Sequence, residues 1–423
     1  MRVSGSLRVP GDKSISHRAL MLGALADGAS RLTGVLQSAD LHSTAGVLRS
    51  LGVEIPPLSS DFTIRGVGLR GLQQPERDLD CGNSGTTTRL MAGIVAASPI
   101  RSTFVGDASL SKRPMRRIAR PLEAMGARVM LAEHGGLPMT IHGGTLSDIE
   151  WRSEVASAQI KSAVLLAALV GRVRAHVTEP ARSRDHTERM LQSRGVPIHV
   201  DGTSVVIDPG TSLAAVDTDV PGDPSSAAFF AGLGALADGG ELRLEHVCIN
   251  ETRIGFLAKL RTMGASVREE NRRVEGGEWV ADLVVAPGSL RGTSVTEGDV
   301  PAMVDELPLL ACLATRAEGE TVITGANELR LKESDRISAV VSNLRAIGAT
   351  AEELPDGMRI QGSNRPLRGR IVTHGDHRLA MAFGVLGAAS GNDIEVDDPD
   401  CVGVSYPSFW DDLARAQGGA SVT

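Results

Sequence analysis

Bulky rings, cysteines and surplus positive charge are all scarce in this chain, and each scarcity removes a class of protein. Aromatic residues make up 3% of the sequence, with a single tyrosine among them, while 48 positions are glycine. A core built with so few rings must come from thin helices packed closely through small side chains. Cys81, Cys248, Cys312 and Cys401 lie far apart with no CxxC or Cys/His cluster. That spacing argues against a disulfide framework and a metal site, and leaves four reduced thiols. A formal charge of -7 argues against a general nucleic-acid binder, so any anion binding must be local. The longest apolar run, Ala163 to Val170, is far short of the roughly 20 residues of a membrane span. The opening MRVSGSLRVPG has no apolar signal-peptide core. A soluble, cytoplasmic protein without metal or cofactor is expected.

What is present reads as an ordinary globular chain, with 42% hydrophobic and 22% charged residues, and 423 residues exceed one typical core. Two domains are therefore expected. The stretch Val9 to Leu25, VPGDKSISHRALMLGAL, places a turn at Gly11 before an apolar helix that Ser14 or Ser16 could cap. Lys13 and Arg18 fall near the helix start, where free N–H groups already favour an anion, so the motif reads as a phosphate or carboxylate site. It is no Walker loop, because Asp12 stands where that motif needs glycine.

The pattern repeats. A polar turn followed by an Ala/Gly/Leu-rich helix recurs from Gly82, Ala156, Gly222, Val304 and Gly375, giving six units at intervals of roughly seventy residues. Between them a second signature recurs: LRSLGVEI, LEAMGARV, LQSRGVPI, LRTMGASV and LRAIGATA each read as a helix end closed by glycine and followed by a strand. Each unit is then an α+β module with one buried helix, one outer helix and a few strands. The tetrapeptide VPGD occurs at Val9 to Asp12 and again at Val220 to Asp223. Read as two crossings, it divides the chain into a three-repeat domain of residues 12–223 and a second one of 1–11 plus 224–423.

Compared for chemistry, the turns offer Lys13, Ser14 and Arg18, then Asn83, Gly85, Thr86 and Arg89, then Ser157, Gln159 and Lys161. The fifth offers Asp305 and Glu306, and the sixth Asp376, His377 and Arg378. Arg113, before Pro114, and the helix start around Lys332, Glu333 and Arg336 join this set. If the helix starts converge, the resulting cleft suits small polyanions, with carboxylates placed for acid/base work.

The motifs PGDKSISHRA, GNSGTTTR, SKRP, SAQIKSA, VDELP, LKESDR and GDHRLAMAF, in this order and over nearly the whole chain, resemble the 5-enolpyruvylshikimate-3-phosphate synthase family of enolpyruvyl transferases. SAQIKSA and SRDHTERML are closest to its glyphosate-tolerant bacterial sub-group. The resemblance implies an α/β fold, a two-domain inside-out α/β barrel of six βαβαββ repeats with the active site in the interdomain cleft. It implies transfer of the carboxyvinyl group of phosphoenolpyruvate to the 5-hydroxyl of shikimate 3-phosphate in aromatic amino acid biosynthesis, with no cofactor, by a monomer. By that resemblance Lys13, Ser14, Arg18, Ser157, Gln159, Arg184, Asp305 and Lys332 meet shikimate 3-phosphate. Lys13, Gly85, Arg113, Gln159, Arg336 and Arg378 meet phosphoenolpyruvate, with Asp305 the base for the hydroxyl, Glu333 the proton donor at C3 and Lys13 a further catalytic group.

The sequence departs from the family at Val404, where many relatives carry a lysine, and at Glu328, where many carry an asparagine. Gly85 is retained where some tolerant relatives carry alanine, so glyphosate is expected to enter the phosphoenolpyruvate site. Three other readings are weaker. The sister transferase acting on UDP-N-acetylglucosamine uses a Lys-Asn pair and a reactive cysteine, and this chain has Lys13-Ser14 and LSKRPMR. An RNA-terminal phosphate cyclase shares related modules but fits the acidic net charge badly. A non-catalytic anion-binding paralogue would have no use for Asp305 and Glu333.

Overall fold

In the structure, a computed structural model that describes residues 1–210 and 212–418, every one of the six expected turn-helix signatures starts a helix. These are Lys13–Leu25, Gly85–Ala96, Ala158–Gly171, Pro224–Leu236, Leu307–Ala314 and His377–Ala388, and nearly all their side chains are buried. Six more exposed helices alternate with them: Ala39–Ser50, Arg116–Ala124, His186–Gln192, Gly255–Thr262, Arg336–Ala346 and Phe409–Ala416. Among the described residues no helix is long and apolar enough to cross a membrane.

The five LxxxG segments end their helices as the sequence predicts. Gly52, Gly126, Gly195, Gly264 and Gly348 all take positive φ, 87° at Gly52 and 108° at Gly126, a left-handed turn that side-chain-bearing residues resist. A strand follows directly in four cases. After Gly52 the chain reads VEIPP and no strand forms until Asp61–Arg65.

Two compact units result, one of Gly11–Val220 with Val274–Glu278, the other of Met1–Pro10, Pro221–Arg273 and the chain from Trp279 onward. In the first, strand Leu79–Asp80 runs parallel to Arg101–Val105, which pairs antiparallel with Met139–His142 and through it with Arg128–Leu131. Ile149–Arg152, Ala175–Thr178, Ser204–Ile207 and Ile198–Asp201 repeat that layout. A third sheet has three strands, with Thr218–Asp219 parallel to Ala29–Thr33, which pairs antiparallel with Asp61–Arg65. In the other unit Ser6–Leu7 joins Leu242–Cys248 in parallel, so the start of the chain sits beside residues more than two hundred positions away. Ser294–Val295, Glu320–Ile323, Gly357–Gln361 and Thr350–Leu354 form the fifth copy, and the sixth keeps only Arg368–Ile371 beside Asp393–Val396. The βαβαββ order is thus complete in some modules and trimmed in the first and last. Among the described residues the strands form separate small sheets, not one hydrogen-bonded cylinder.

The low aromatic content shows in the packing. Gly93 of Gly85–Ala96 lies so close to Ala158–Gly171 that a Cβ there would stand 2.1 Å from the Ala163 carbonyl oxygen. Ala92, Ala96, Ala163 and Ala167 of these two thin helices are likewise wholly buried. In the other unit Phe229, Phe230, Tyr406 and Phe409 gather at ring separations of 5.7 to 5.9 Å, so much of the chain's aromatic material is spent in one cluster.

Candidate functional site

In the Gly11–Val220 unit, helix Lys13–Leu25 is capped by Asp12, whose Oδ1 accepts the Ile15 N–H at 2.8 Å. Neither Ser14 nor Ser16 is the cap. An aspartate serves as well and sets negative charge on the positive end of the helix. Lys13 reaches Asp40 at 3.2 Å. Arg18, only 4% exposed, donates Nε to Thr187 at 2.7 Å, Nη2 to Ser162 at 2.8 Å and Nη1 to the Ser14 carbonyl at 2.9 Å. All three acceptors are neutral. Burial lowers the Arg18 pKa to about 10 against the pull of Glu188 and Asp12, and the charge of Arg184 pushes it the same way. Arg18 still carries its proton at neutral pH, and an anion beside it would relieve both burial and repulsion.

Gly85 opens the helix after the Ser84 cap, and a Cβ on it would lie 2.9 Å from Arg89 Nη1 and 3.5 Å from Arg113 Nη1. Arg89 donates to Gln159 Oε1 at 2.7 Å, Gln159 donates to Thr86 Oγ1 at 3.1 Å, and Arg113 donates to Asn83 Oδ1 at 2.7 Å. Gly85, Arg113 and Gln159 are therefore brought together, with Arg89 joining them. Burial, then Arg117 and Arg113, lowers Arg89 to about pKa 10, and its Nε has no hydrogen-bond partner among the described residues. Arg89 is among the residues that the second turn offers, but the family resemblance assigns it no substrate; its signal is position, four residues after Gly85 and so one helical turn on. Lys161 goes the other way. The third turn offers it beside Ser157 and Gln159, and it is buried between Glu179 and Glu188.

The other unit gathers its own set. Helix Arg336–Ala346 starts at the Asp335 cap, so Lys332 and Glu333 precede it, at the end of a short 3-10 turn, Asn327–Leu331. Arg336 is buried and meets three carboxylates: Asp376 through Nε at 2.8 Å and Nη2 at 3.2 Å, Glu333 at 2.6 Å and Asp305 at 3.5 Å. Lys332 lies 2.8 Å from Glu328 and 3.8 Å from Asp305, and Arg378 lies 3.6 Å from Glu306. Asp376, wholly buried, also caps helix His377–Ala388 through the Arg378 N–H at 2.9 Å. The sequence offers it only as a residue of the sixth turn.

Burial works to raise the Glu333 carboxyl, but Arg336 and a backbone N–H outweigh it and hold it below the ordinary range. Its side chain is 46% exposed, open enough to meet a ligand. Glu306 is pushed up by burial, only partly offset by Arg378. Val404, 53% exposed at the end of the 3-10 turn Pro399–Val404, supplies no charge.

The two sets differ in kind. In the first, Arg18, Arg89 and Arg113 point their hydrogen bonds at neutral oxygens. In the second, Lys332, Arg336 and Arg378 meet five carboxylates: Asp305, Glu306, Glu328, Glu333 and Asp376. Among the described residues, neutral acceptors leave the charge of the first three guanidiniums uncompensated by direct ion pairs, whereas the cations of the second set are already paired with carboxylates.

Residues 1–413 match the family described as EPSP synthase (3-phosphoshikimate 1-carboxyvinyltransferase). The chain is 48% identical over 419 residues to the 3-phosphoshikimate 1-carboxyvinyltransferase of Sulfurihydrogenibium sp., covering 98% of this chain and 97% of that one. With the protein of the same name from Alkalilimnicola ehrlichii it shares 50% over 407 residues, covering 96% and 91%. A solved structure of EPSP synthase from Acinetobacter baumannii superposes with a TM-score of 0.91 at 42% identity, covering 98% of this chain and 96% of that one.

Proposed function

The chain belongs to the EPSP synthase family, and from that premise we infer that it transfers the enolpyruvyl group of phosphoenolpyruvate to the 5-hydroxyl of shikimate 3-phosphate, releasing phosphate, in the shikimate pathway of aromatic amino acid biosynthesis. One observation carries the chemistry: Asp305 and Glu333 flank the same buried guanidinium, that of Arg336.

In this reading the Gly11–Val220 unit chiefly binds. Lys13, Ser14, Arg18, Ser157, Gln159 and Arg184 hold shikimate 3-phosphate, together with Lys332 and Asp305. Lys13, Gly85, Arg113 and Gln159 hold phosphoenolpyruvate, together with Arg336 and Arg378. Asp305 takes the proton of the 5-hydroxyl as its oxygen attacks C2, and Glu333 gives a proton to C3. The tetrahedral adduct then returns a C3 proton to Glu333 and expels phosphate, which leaves with the hydroxyl proton handed on from Asp305 while Lys13 offsets its charge, so atoms and protons balance. A ligand anion on Arg336 competes with the Glu333 carboxylate. Losing that partner raises the Glu333 pKa toward a proton donor's range.

The same reading has glyphosate entering the phosphoenolpyruvate site beside Gly85, and a monomer working in the cytoplasm. The acceptor UDP-N-acetylglucosamine is not favoured, because Leu110 to Arg117 contains no cysteine.

Glu333→Gln tests the assignment. Removing a proton donor is expected to cost about 10²- to 10⁴-fold in kcat while leaving shikimate 3-phosphate affinity nearly unchanged. Turnover within threefold of the parent would remove Glu333 from the chemistry.

A further inference from the structure

The two segments whose spelling marks the bacterial sub-group, SAQIKSA and SRDHTERML, meet in the interior of one unit. Lys161 Nζ lies 2.7 Å from Glu179 Oε2 and 2.8 Å from Glu188 Oε1, and all three side chains are 2% exposed. So buried a trio is no ordinary surface salt bridge. What the trio holds is more telling.

Glu179 Oε1 accepts the Ser157 N–H at 2.9 Å, and Oε2 accepts the Ser183 hydroxyl at 2.8 Å. Ser157 is the N-cap of helix Ala158–Gly171, and its own N–H is one that a capping box would satisfy with Glu or Gln three residues on. That position is Ile160, which cannot. Glu179 supplies the missing acceptor from a distant segment, and Lys161, one residue beyond Ile160, anchors the carboxylate. Its Oε2 also fixes Ser183, next to Arg184. The third member, Glu188, follows Thr187, which accepts from Arg18 Nε and shares a 2.7 Å hydrogen bond with Ser162.

We propose that Glu179, fixed by Lys161, is a positioning residue for shikimate 3-phosphate: it sets the turn of Ser157 and Gln159 and the loop of Arg184 in register around Arg18. The inference rests on the reading of those four residues as acceptor-substrate contacts. Glu179 touches no substrate and acts through the residues it holds. A carboxylate suits the task because one group must accept from a backbone N–H, a hydroxyl and an ammonium at once, and charge-assisted acceptors hold their donors about twice as firmly as neutral ones.

The test is Glu179→Gln in the full chain, with shikimate 3-phosphate binding measured by calorimetry in the absence of phosphoenolpyruvate, followed by steady-state kinetics. Glutamine keeps the shape and loses the charge, so shikimate 3-phosphate affinity is expected to fall roughly tenfold, as for a lost charged hydrogen bond. With that substrate saturating, kcat and the KM for phosphoenolpyruvate should stay within about twofold of the parent. A folded variant with unchanged shikimate 3-phosphate affinity overturns the proposal. So does a fall in kcat with both KM values kept, or an equal rise in the two, which is what a merely structural role would give. If the variant does not fold, Ser183→Ala decides: it removes one of the three bonds and should weaken shikimate 3-phosphate binding about threefold, and no change overturns the idea. A parent protein that does not bind shikimate 3-phosphate at all fails the functional reading itself, separately from this proposal.

Discussion

Gly85 shows how much one absent Cβ can decide. The Arg89 and Arg113 guanidiniums close on it, and both are ends of flexible side chains able to shift by an ångström. Gly85→Ala should therefore fold normally and fail locally, with the KM for phosphoenolpyruvate raised on the order of tenfold, equivalent to about 1.4 kcal/mol. Glyphosate inhibition should weaken at least as much. Unchanged inhibition in a folded variant would place glyphosate elsewhere. Several site residues were legible at this scale because their types are rare for any other purpose: a Lys-Ser pair after a Gly turn, an Arg before a Pro, a Glu between two cations. Burial was not legible. Lys161 and Arg113 both read as cations in polar segments of the sequence, and only packing reveals that one is consumed by Glu179 and Glu188 while the other is half-buried and donates to Asn83.

Helices make sharper claims than single residues. A helical Gly→Ala change ordinarily gains up to about 1 kcal/mol from propensity. At Gly93 the opposite is expected, a loss of about 1 to 3 kcal/mol from overpacking, because the Ala163 carbonyl of the partner helix blocks the methyl group and backbone cannot step aside. Urea denaturation gives the sign directly. The paired signature of small residues on both helices was readable in the sequence, although not which glycine carries the contact.

Asp376 joins a cap to a buried ion pair, and Asn separates the two. Asparagine caps a helix as well as aspartate does, so Asp376→Asn should keep helix His377–Ala388 and lose the charge facing Arg336. A loss of about 3 kcal/mol at pH 7 is expected for breaking a buried pair. Burial acts to raise the Asp376 carboxyl, but Arg336 outweighs it and the folded pKa is lowered. A carboxylate lowered in the fold contributes stability that is present above its unfolded pKa of about 4 and disappears as pH falls through the lowered folded value. The stability gap between parent and variant should therefore narrow progressively as pH falls below about 4; a gap that stays constant on acidification would show that the cap, not the charge, was lost. The sequence concealed this role because Asp376 lies forty residues from Arg336.

Over the whole molecule, repetition was the readable signal. Six turn-helix units and five glycine stops follow from local chemistry, so the helix pairs emerged without reference to tertiary structure. The trimmed first and last modules did not, since the strand missing after Gly52 is excluded only by Pro56 and Pro57 in a stretch otherwise suited to pairing. Pairing between distant segments, such as Ser6–Leu7 with Leu242–Cys248, follows from the fold and not from the two residues of the shorter strand.

The central claim is that this chain moves an enolpyruvyl group onto shikimate 3-phosphate. It is tested most directly by phosphate release from phosphoenolpyruvate, with shikimate 3-phosphate in one reaction and UDP-N-acetylglucosamine in another. Phosphate should appear with the first acceptor alone and depend on Asp305 and Glu333. Release with the second alone would keep the donor chemistry and overturn the acceptor, and no release with either would contradict the account.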